Sequence, residues 1–461
     1  MYDAIVVGAR VTGAPTAMLL ARQGQRVLLL DRATFPSDTI STHFLQPRGS
    51  SYLKRWGLLD RVLSEVPSWS RMTITKEGIA ISGTQPLEAI RARLARLTGD
   101  GGDYATTTWC APRRMFLDKL LVDAAVEAGA ELREAVVTDD LLFEGDRVVG
   151  VQCRQGSRRF EERARLVIGA DGKHSVVARS LGLPRLEERP RHTFAYYSYW
   201  SGLTQDEFPW PMHFKGRLAA AIFPTNDGLF HVLVFGPDEW FRSFRADVDG
   251  NYLRALRYVA PEVADIVETK GRREERIVGT VDQPNFFRPL FGEGWALAGD
   301  ASNNKDQCTA IGMTHGFRDA ELVARAAHEW LCGRPREAAF GEYERLRAAD
   351  AMPYYGFVCD LAEMRVPSRG ELELVASLAV DQAQGDRFLG LIGDAVEMQD
   401  FFSDENIEQI KRSSGDAWRG NDVFRNLDAT QRAYRNDPFA EPIRRVGRSQ
   451  SSVKERDEAS S

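Results

Sequence analysis

The stretch YDAIVVGARVTGAPTAMLLARQGQRVLLLDRA, residues 2–33, constrains the fold more than any other. Asp3–Val7 is apolar and rich in β-branched residues, the pattern of a strand buried on both faces. A glycine turn and a helix of small and apolar residues follow, and Gln25–Asp31 reads as a second buried strand. A β-turn-α-β unit of about thirty residues is the setting that a dinucleotide fingerprint G-x-G-x-x-G requires. Gly8 and Gly13 fill its first and third positions, and Arg10 stands where the middle glycine belongs. Gly8 permits the tight turn, and Gly13 lets helix and strand approach. Arg10 keeps its backbone N–H for a phosphate and adds a guanidinium able to lie along it. Glycine-only dihedrals at that position would cost an arginine about one to a few kcal/mol. Asp31, followed by Arg32, ends the second strand about twenty residues past the glycines, where a carboxylate accepts hydrogen bonds from a ribose. These residues predict a modified, working nucleotide site; the alternative is a plain βαβ crossover.

Composition sets the broad class. The chain has 461 residues, 43% hydrophobic and 27% charged, which suits a soluble globular protein of two or three domains. A net charge of -6 argues against nonspecific nucleic-acid binding. No apolar run approaches a membrane span and no basic leader precedes the first strand, so a cytoplasmic protein is expected. The cysteines Cys110, Cys153, Cys308, Cys332 and Cys359 form no C-x-x-C pair. That fits a reducing compartment and supplies neither a metal set nor a disulfide framework.

Further along, PRRMFLDKLLVDAAVEAGAELRE reads as a helix ending at Gly129, and residues 136–170 alternate like antiparallel strands around a Glu-Gly-Asp turn. Residues 183–285 are rich in aromatic and β-branched residues, with few clear helical stretches. Gly294–Asp300 returns to a buried strand and a glycine turn, and Thr314–Cys332 and Arg336–Asp360 look helical. The polar residues 441–461 read as a disordered tail.

Two more motifs, IGADGKHSVVARSLG (168–182) and WALAGDASNNKDQCTAIGMTHGFRDAELVARA (295–326), complete an ordered set. With the N-terminal unit they resemble the three signatures of FAD-dependent monooxygenases of the para-hydroxybenzoate hydroxylase fold, shared with geranylgeranyl reductases and flavin-dependent halogenases. The resemblance covers about the first 350 residues. It implies an α/β fold: a Rossmann-like FAD-binding domain (1–182 and 286–330, with part of 65–105 assigned either there or to the substrate domain), an inserted mixed β-sheet substrate domain (183–285) and a C-terminal helical region (331–440). It also implies cofactor roles. Gly8, Arg10 and Gly13 would hold the FAD diphosphate, and Asp31 with Arg32 would mark the ribose end. Arg114, in Arg114-Met115-Phe116-Leu117, would touch the FAD backbone. Asp171 and Gly172 would support the FAD region and a transient nicotinamide site. Gly299 and Asp300 would bind the ribityl chain, and Gly312 and Met313 would open a helix beneath the flavin.

The chain also departs from the family. Lys305-Asp306-Gln307-Cys308-Thr309 lacks the proline that many hydroxylases place beside the flavin, and Asn303 replaces the usual histidine. Gln307 is the candidate catalytic group in that loop. No W-x-W-x-I-P stretch is present, which argues against halogenation. FPSDTISTHFLQPRG is similar to the loop that reductases and halogenases place near the isoalloxazine, making His43 a candidate active-site residue. Phe194–Trp200, then Phe208, Trp210, His213, Phe214, Phe223, Phe230 and His231, supply aromatic walls for a planar substrate, with His213 a candidate acid or base.

The implied activity is NAD(P)H- and O2-dependent monooxygenation through a flavin C4a-hydroperoxide. It would hydroxylate or epoxidise an aromatic or polyketide-like molecule of secondary metabolism, by a monomer or homodimer, without a metal. The alternatives are a flavin-dependent alkene reductase and a flavin-binding protein without turnover.

Overall fold

The buried strand Tyr2–Val7 is the middle of a parallel sheet in the computed structural model, which describes residues 1–208, 211–416, 422–425 and 427–440. Trp210 and the expected tail 441–461 lie outside the described residues. On one side of the central strand run Val27–Leu30 and Glu131–Arg133; on the other run the end of Arg158–Gly169 and then Trp295–Leu297, all parallel. Alternation divides the central strand between two cores. Ala4 and Val6 pack toward the helices Gly13–Arg22, Arg114–Glu127 and Gly312–Leu331, while Ile5 and Val7 face an antiparallel layer. That layer comprises Val137–Glu144, Arg147–Gln155 and the first half of Arg158–Gly169, so one long strand serves both sheets.

A second sheet runs Arg272–Arg273, Thr193–Ser201, Phe230–Pro237, Leu218–Pro224, Met212–Lys215, Met72–Lys76, Ile79–Gly83, with Val278–Thr280 also on Thr193–Ser201. The hairpin Met72–Gly83 joins this sheet by parallel pairing with Met212–Lys215. The expectation of few helices between 183 and 285 is corrected here. Val248–Val259 and Pro261–Lys270 are helices packed on the outer face of the sheet. Their starts are marked locally, by Asp247 accepting from the Gly250 N–H and by Pro261 in the first turn.

The helices Gly312–Leu331 and Arg336–Ala362 match the helical reading of those stretches, and Arg369–Val380 and Gln382–Ile392 cover the hairpin strand Ile79–Gly83. A buried ionic network ties this helical region to the nucleotide-binding lobe. Asp350 receives Arg48 at 3.2 Å, Arg93 at 2.6 Å and Arg318 at 2.9 Å, and Asp394 receives Arg48, Arg93 and His315. Each carboxylate meets several guanidinium donors, the condition under which buried ions are tolerated.

Candidate active site

Three turns meet at the C-terminal ends of the parallel strands. A Cβ on Gly13 would lie 1.7 Å from the Gly8 carbonyl oxygen, and one on Gly8, at φ +98°, would lie 2.5 Å from that of Ala170. The first turn therefore closes against the Asp171 turn only with glycines at those positions. Gly299 in the third turn packs on Thr12 of the first. Arg10 is not among the residues with positive φ, so the missing middle glycine leaves no backbone strain there.

The side chains differ in how far they are already engaged. Asp31 is buried and accepts from the N–H groups of Ala9 at 2.7 Å and Ala33 at 2.8 Å, while Arg32 is exposed. Asp171 accepts from the Val176 N–H at 2.6 Å and so anchors the short helix Val176–Ser180; Gly172 continues its turn. The Gly299 N–H donates to Asp319 at 3.0 Å. Asp300 is exposed at the cleft, yet the walls around it exclude enough water to push its carboxyl up; Lys305, Lys173 and Arg114 pull it back down. Gly312 is exposed at the N-terminus of a 20-residue helix, with Met313 buried behind it.

Arg10 does not extend freely into the cleft. Its guanidinium donates to Asp118 at 2.7 Å, to the Ser37 hydroxyl at 3.0 Å and to the Ser37 carbonyl at 3.3 Å. Arg114 reaches the same buried Asp118 through Nε at 2.9 Å and Nη2 at 3.0 Å. Asp118 was missed by sequence reasoning, although an Arg–Asp pair four residues apart on an expected helix is a readable signal.

The chemistry of these turns fits FAD: a glycine-closed turn leading into a helix N-terminus suits a diphosphate, and the carboxylates of Asp31 and Asp300 at the strand ends suit hydroxyl groups. Residues 1–246 match the FAD binding domain family. The chain belongs to that family. This flavoprotein is 26% identical over 437 residues to a digeranylgeranylglycerophospholipid reductase of Methanopyrus kandleri, covering 91% of this chain and 100% of the relative. It is 26% identical to squalene epoxidase of Candida albicans (71% of this chain, 72% of the relative) and to 6-methylpretetramide 4-monooxygenase of Streptomyces rimosus (72% and 75%). A solved flavin-dependent brominase superposes with TM-score 0.73 at 15% identity, over 91% of this chain and 100% of that one, and so shares the fold. The protein is an FAD-dependent oxidoreductase. No helix among the described residues is long and apolar enough to cross a membrane.

The inner face of the second sheet packs against Cys308 and Ile311, just before the helix at Gly312. Its alternate residues Tyr197, Tyr199, Phe223 and His231 point toward Phe44, Trp69 and Trp109. His43 sits among them, fully buried, with Nε2 2.7 Å from the Tyr199 hydroxyl and its ring 4.8 Å from that of His231. Burial, reinforced by His231, Arg114 and Arg113, holds the His43 imidazole well below its usual range, so it is neutral near pH 7. His231 is depressed to about 3 by burial and by Arg113, and neither of its ring nitrogens has a hydrogen-bond partner among the described residues. Arg113 lies 4.0 Å over the Tyr199 ring.

Gln307 accepts from the Gln283 side chain at 3.1 Å, and its own Nε2 is buried without a partner among the described residues. His213 does not join this group. Its neighbour Met212 packs on the inner face, whereas His213 itself pairs with outer-face Ala220 and bonds Thr75 at 3.1 Å. His315, Asp350 and Asp394 have ligand-type atoms within 4.8 Å of one another, but Arg48, Arg93 and Arg318 already occupy the carboxylates.

Proposed function

We propose that the protein is an NAD(P)H- and O2-dependent monooxygenase that hydroxylates or epoxidises an aromatic or polyketide-like small molecule. The observation that carries this reading is the aromatic inner sheet face packed against Cys308 and Ile311, with neutral histidines embedded in it. Bound FAD supplies electron transfer and oxygen activation. Asp31 and Asp300 would accept hydroxyl hydrogen bonds from the cofactor, and the helix N-terminus at Gly312 would favour negative charge on its reduced ring. Phe44, Trp69 and Phe223 offer a flat, water-excluding wall to a planar substrate. His43 and Tyr199 form a neutral hydrogen-bonded pair able to hold or move a proton at a substrate oxygen. The Gln307 Nε2 is a donor left over for a ligand carbonyl.

A second reading, reduction of an alkene, is favoured by two observations. The archaeal reductase is matched over its whole length, and Lys305–Thr309 holds no proline. NAD(P)H oxidation stimulated by candidate aromatics, with product mass measured under labelled dioxygen, separates the two. Oxygenation requires O2 and adds one labelled atom; substrate-dependent turnover under argon, adding two hydrogens, overturns it in favour of reduction.

A further inference from the structure

Arg10 stands in the fingerprint where glycine is the usual residue, and its guanidinium is spent on neighbours. One arm grips Asp118 and the Ser37 carbonyl; the other reaches the Ser37 hydroxyl and, at 3.5 Å, the Asp38 carbonyl. The guanidinium also lies 5.5 Å over the ring of Phe35. All of these contacts except Asp118 belong to the segment that ends in His43.

Besides Arg10, side-chain contacts hold that segment: the Phe35 N–H donates to Glu134 at 2.9 Å, the Tyr197 hydroxyl bonds the Ser41 main chain, and His43 pairs with Tyr199 at 2.7 Å. Among the described residues no main-chain to main-chain hydrogen bond is made by residues 35–44; the first is the Leu45 N–H on Cys110. Ile40 is 47% exposed, while His43, three residues on, is fully buried and adopts φ +57°. A left-handed histidine is a conformation that its surroundings must enforce. The other ionic hold is the longer Arg113–Asp38 contact at 3.5 Å.

We propose that Arg10 is a positioning residue: it fastens loop 36–43 to the cofactor turn and thereby seats His43 against Tyr199. The main chain of the turn, not this side chain, is left to meet the diphosphate. Arginine suits the task because its planar fork engages a carboxylate and a main-chain carbonyl together, which an ammonium cannot do. The proposal rests on reading residues 8–13 as the FAD diphosphate turn, but the clamp itself is tested without FAD.

The test compares wild type, Arg10→Gly and Arg10→Lys by amide hydrogen exchange over residues 35–44, by 15N shifts of the His43 imidazole, and by FAD titration. Arg10→Gly restores the common fingerprint and is expected to fold and to bind FAD within about threefold of wild type, since glycine suits a diphosphate turn. Exchange of the loop should accelerate by about tenfold or more, the effect of losing a charge-assisted hydrogen bond that opposes local opening. The His43 shifts should move in the same variant. Arg10→Lys, which keeps the Asp118 charge pair and loses the second arm, should also exchange faster than wild type. Weakened FAD binding with unchanged loop exchange would instead make Arg10 a diphosphate ligand and overturn the clamp. Unchanged exchange and unchanged binding would overturn it as well. Accelerated exchange in a chain that takes up no FAD in any form would uphold the clamp and sink the flavin reading alone.

Discussion

The two faces of the second sheet are built from alternate residues of the same strands, yet they are finished differently. On the outer face Phe194, Tyr196, Trp200, Ile222 and Val234 pack under the helices Val248–Val259 and Pro261–Lys270. The large polar rings there are matched: the Trp200 indole donates to the Tyr252 hydroxyl at 3.2 Å, and that hydroxyl donates to the Val232 carbonyl at 2.8 Å. On the inner face His231 is fully buried with no partner for either nitrogen among the described residues. Burying an unmatched polar group costs about 1–3 kcal/mol, an expense that a face selected for stability alone would not carry. The contrast is the one expected if the outer face is core and the inner face is the proposed working surface.

Trp200→Ala should show the largest effect. It removes a buried ring from the outer face and should lower unfolding free energy by about 3–5 kcal/mol in urea titration, with turnover per folded molecule retained. A loss below about 1 kcal/mol would break the comparison from its structural side. His43→Gln should do the reverse, cutting kcat by about 100-fold, the scale of a lost acid–base group, while the melting temperature changes little. The same change at His213, on the outer face, should leave kcat untouched.

The next effect concerns sign. Phenylalanine at position 231 removes two unmatched nitrogens from a ring-shaped site, so His231→Phe should stabilise the protein at pH 7 by about 1 kcal/mol or more while impairing turnover. The pH dependence follows the same residue. His231 is neutral when folded, its pKa depressed to about 3, but in the unfolded chain it takes up a proton near pH 6.5. The unfolded state therefore binds more protons as pH falls, and stability is lost progressively from about pH 6.5 downward. Between pH 6.5 and 5.5 this residue should cost wild type about 1 kcal/mol that His231→Phe does not lose, read from paired denaturant titrations. Smallest of all, Tyr252→Phe on the outer face should cost about 1 kcal/mol of stability and leave kcat and KM unchanged.

Much of the cofactor lobe is legible in the chain because its signals are local. A buried strand, a glycine turn and a terminal aspartate within thirty residues place Gly8, Gly13 and Asp31, and the structure sets Asp171 and Gly299 against that same turn. The helices after Gly312 and Arg336 follow from their apolar periodicity. What escaped depends on long-range pairing. Nothing local says that Met72–Gly83 pairs with Met212–Lys215, or that Asp350 will gather three arginines from separate helices. Strand alternation separates His213 from Met212, but which face meets Cys308 and Ile311 is decided only by docking. The helices at Val248 and Pro261 were hidden by aromatic-rich neighbours, despite a capping aspartate and an N-terminal proline. Arg10 was visible, but its partners Ser37 and Asp118 lie 27 and 108 residues away in sequence.

The central claim is that three strand-end turns hold FAD through main chain and carboxylates while Arg10 stays turned to the protein. A crystal structure of the FAD complex tests it most directly. The expected map shows the diphosphate against the main chain of residues 8–13, hydroxyls on Asp31 and Asp300, and the Arg10 guanidinium still on Asp118 and Ser37. A diphosphate bound by the Arg10 side chain, or a nucleotide seated away from these turns, contradicts it.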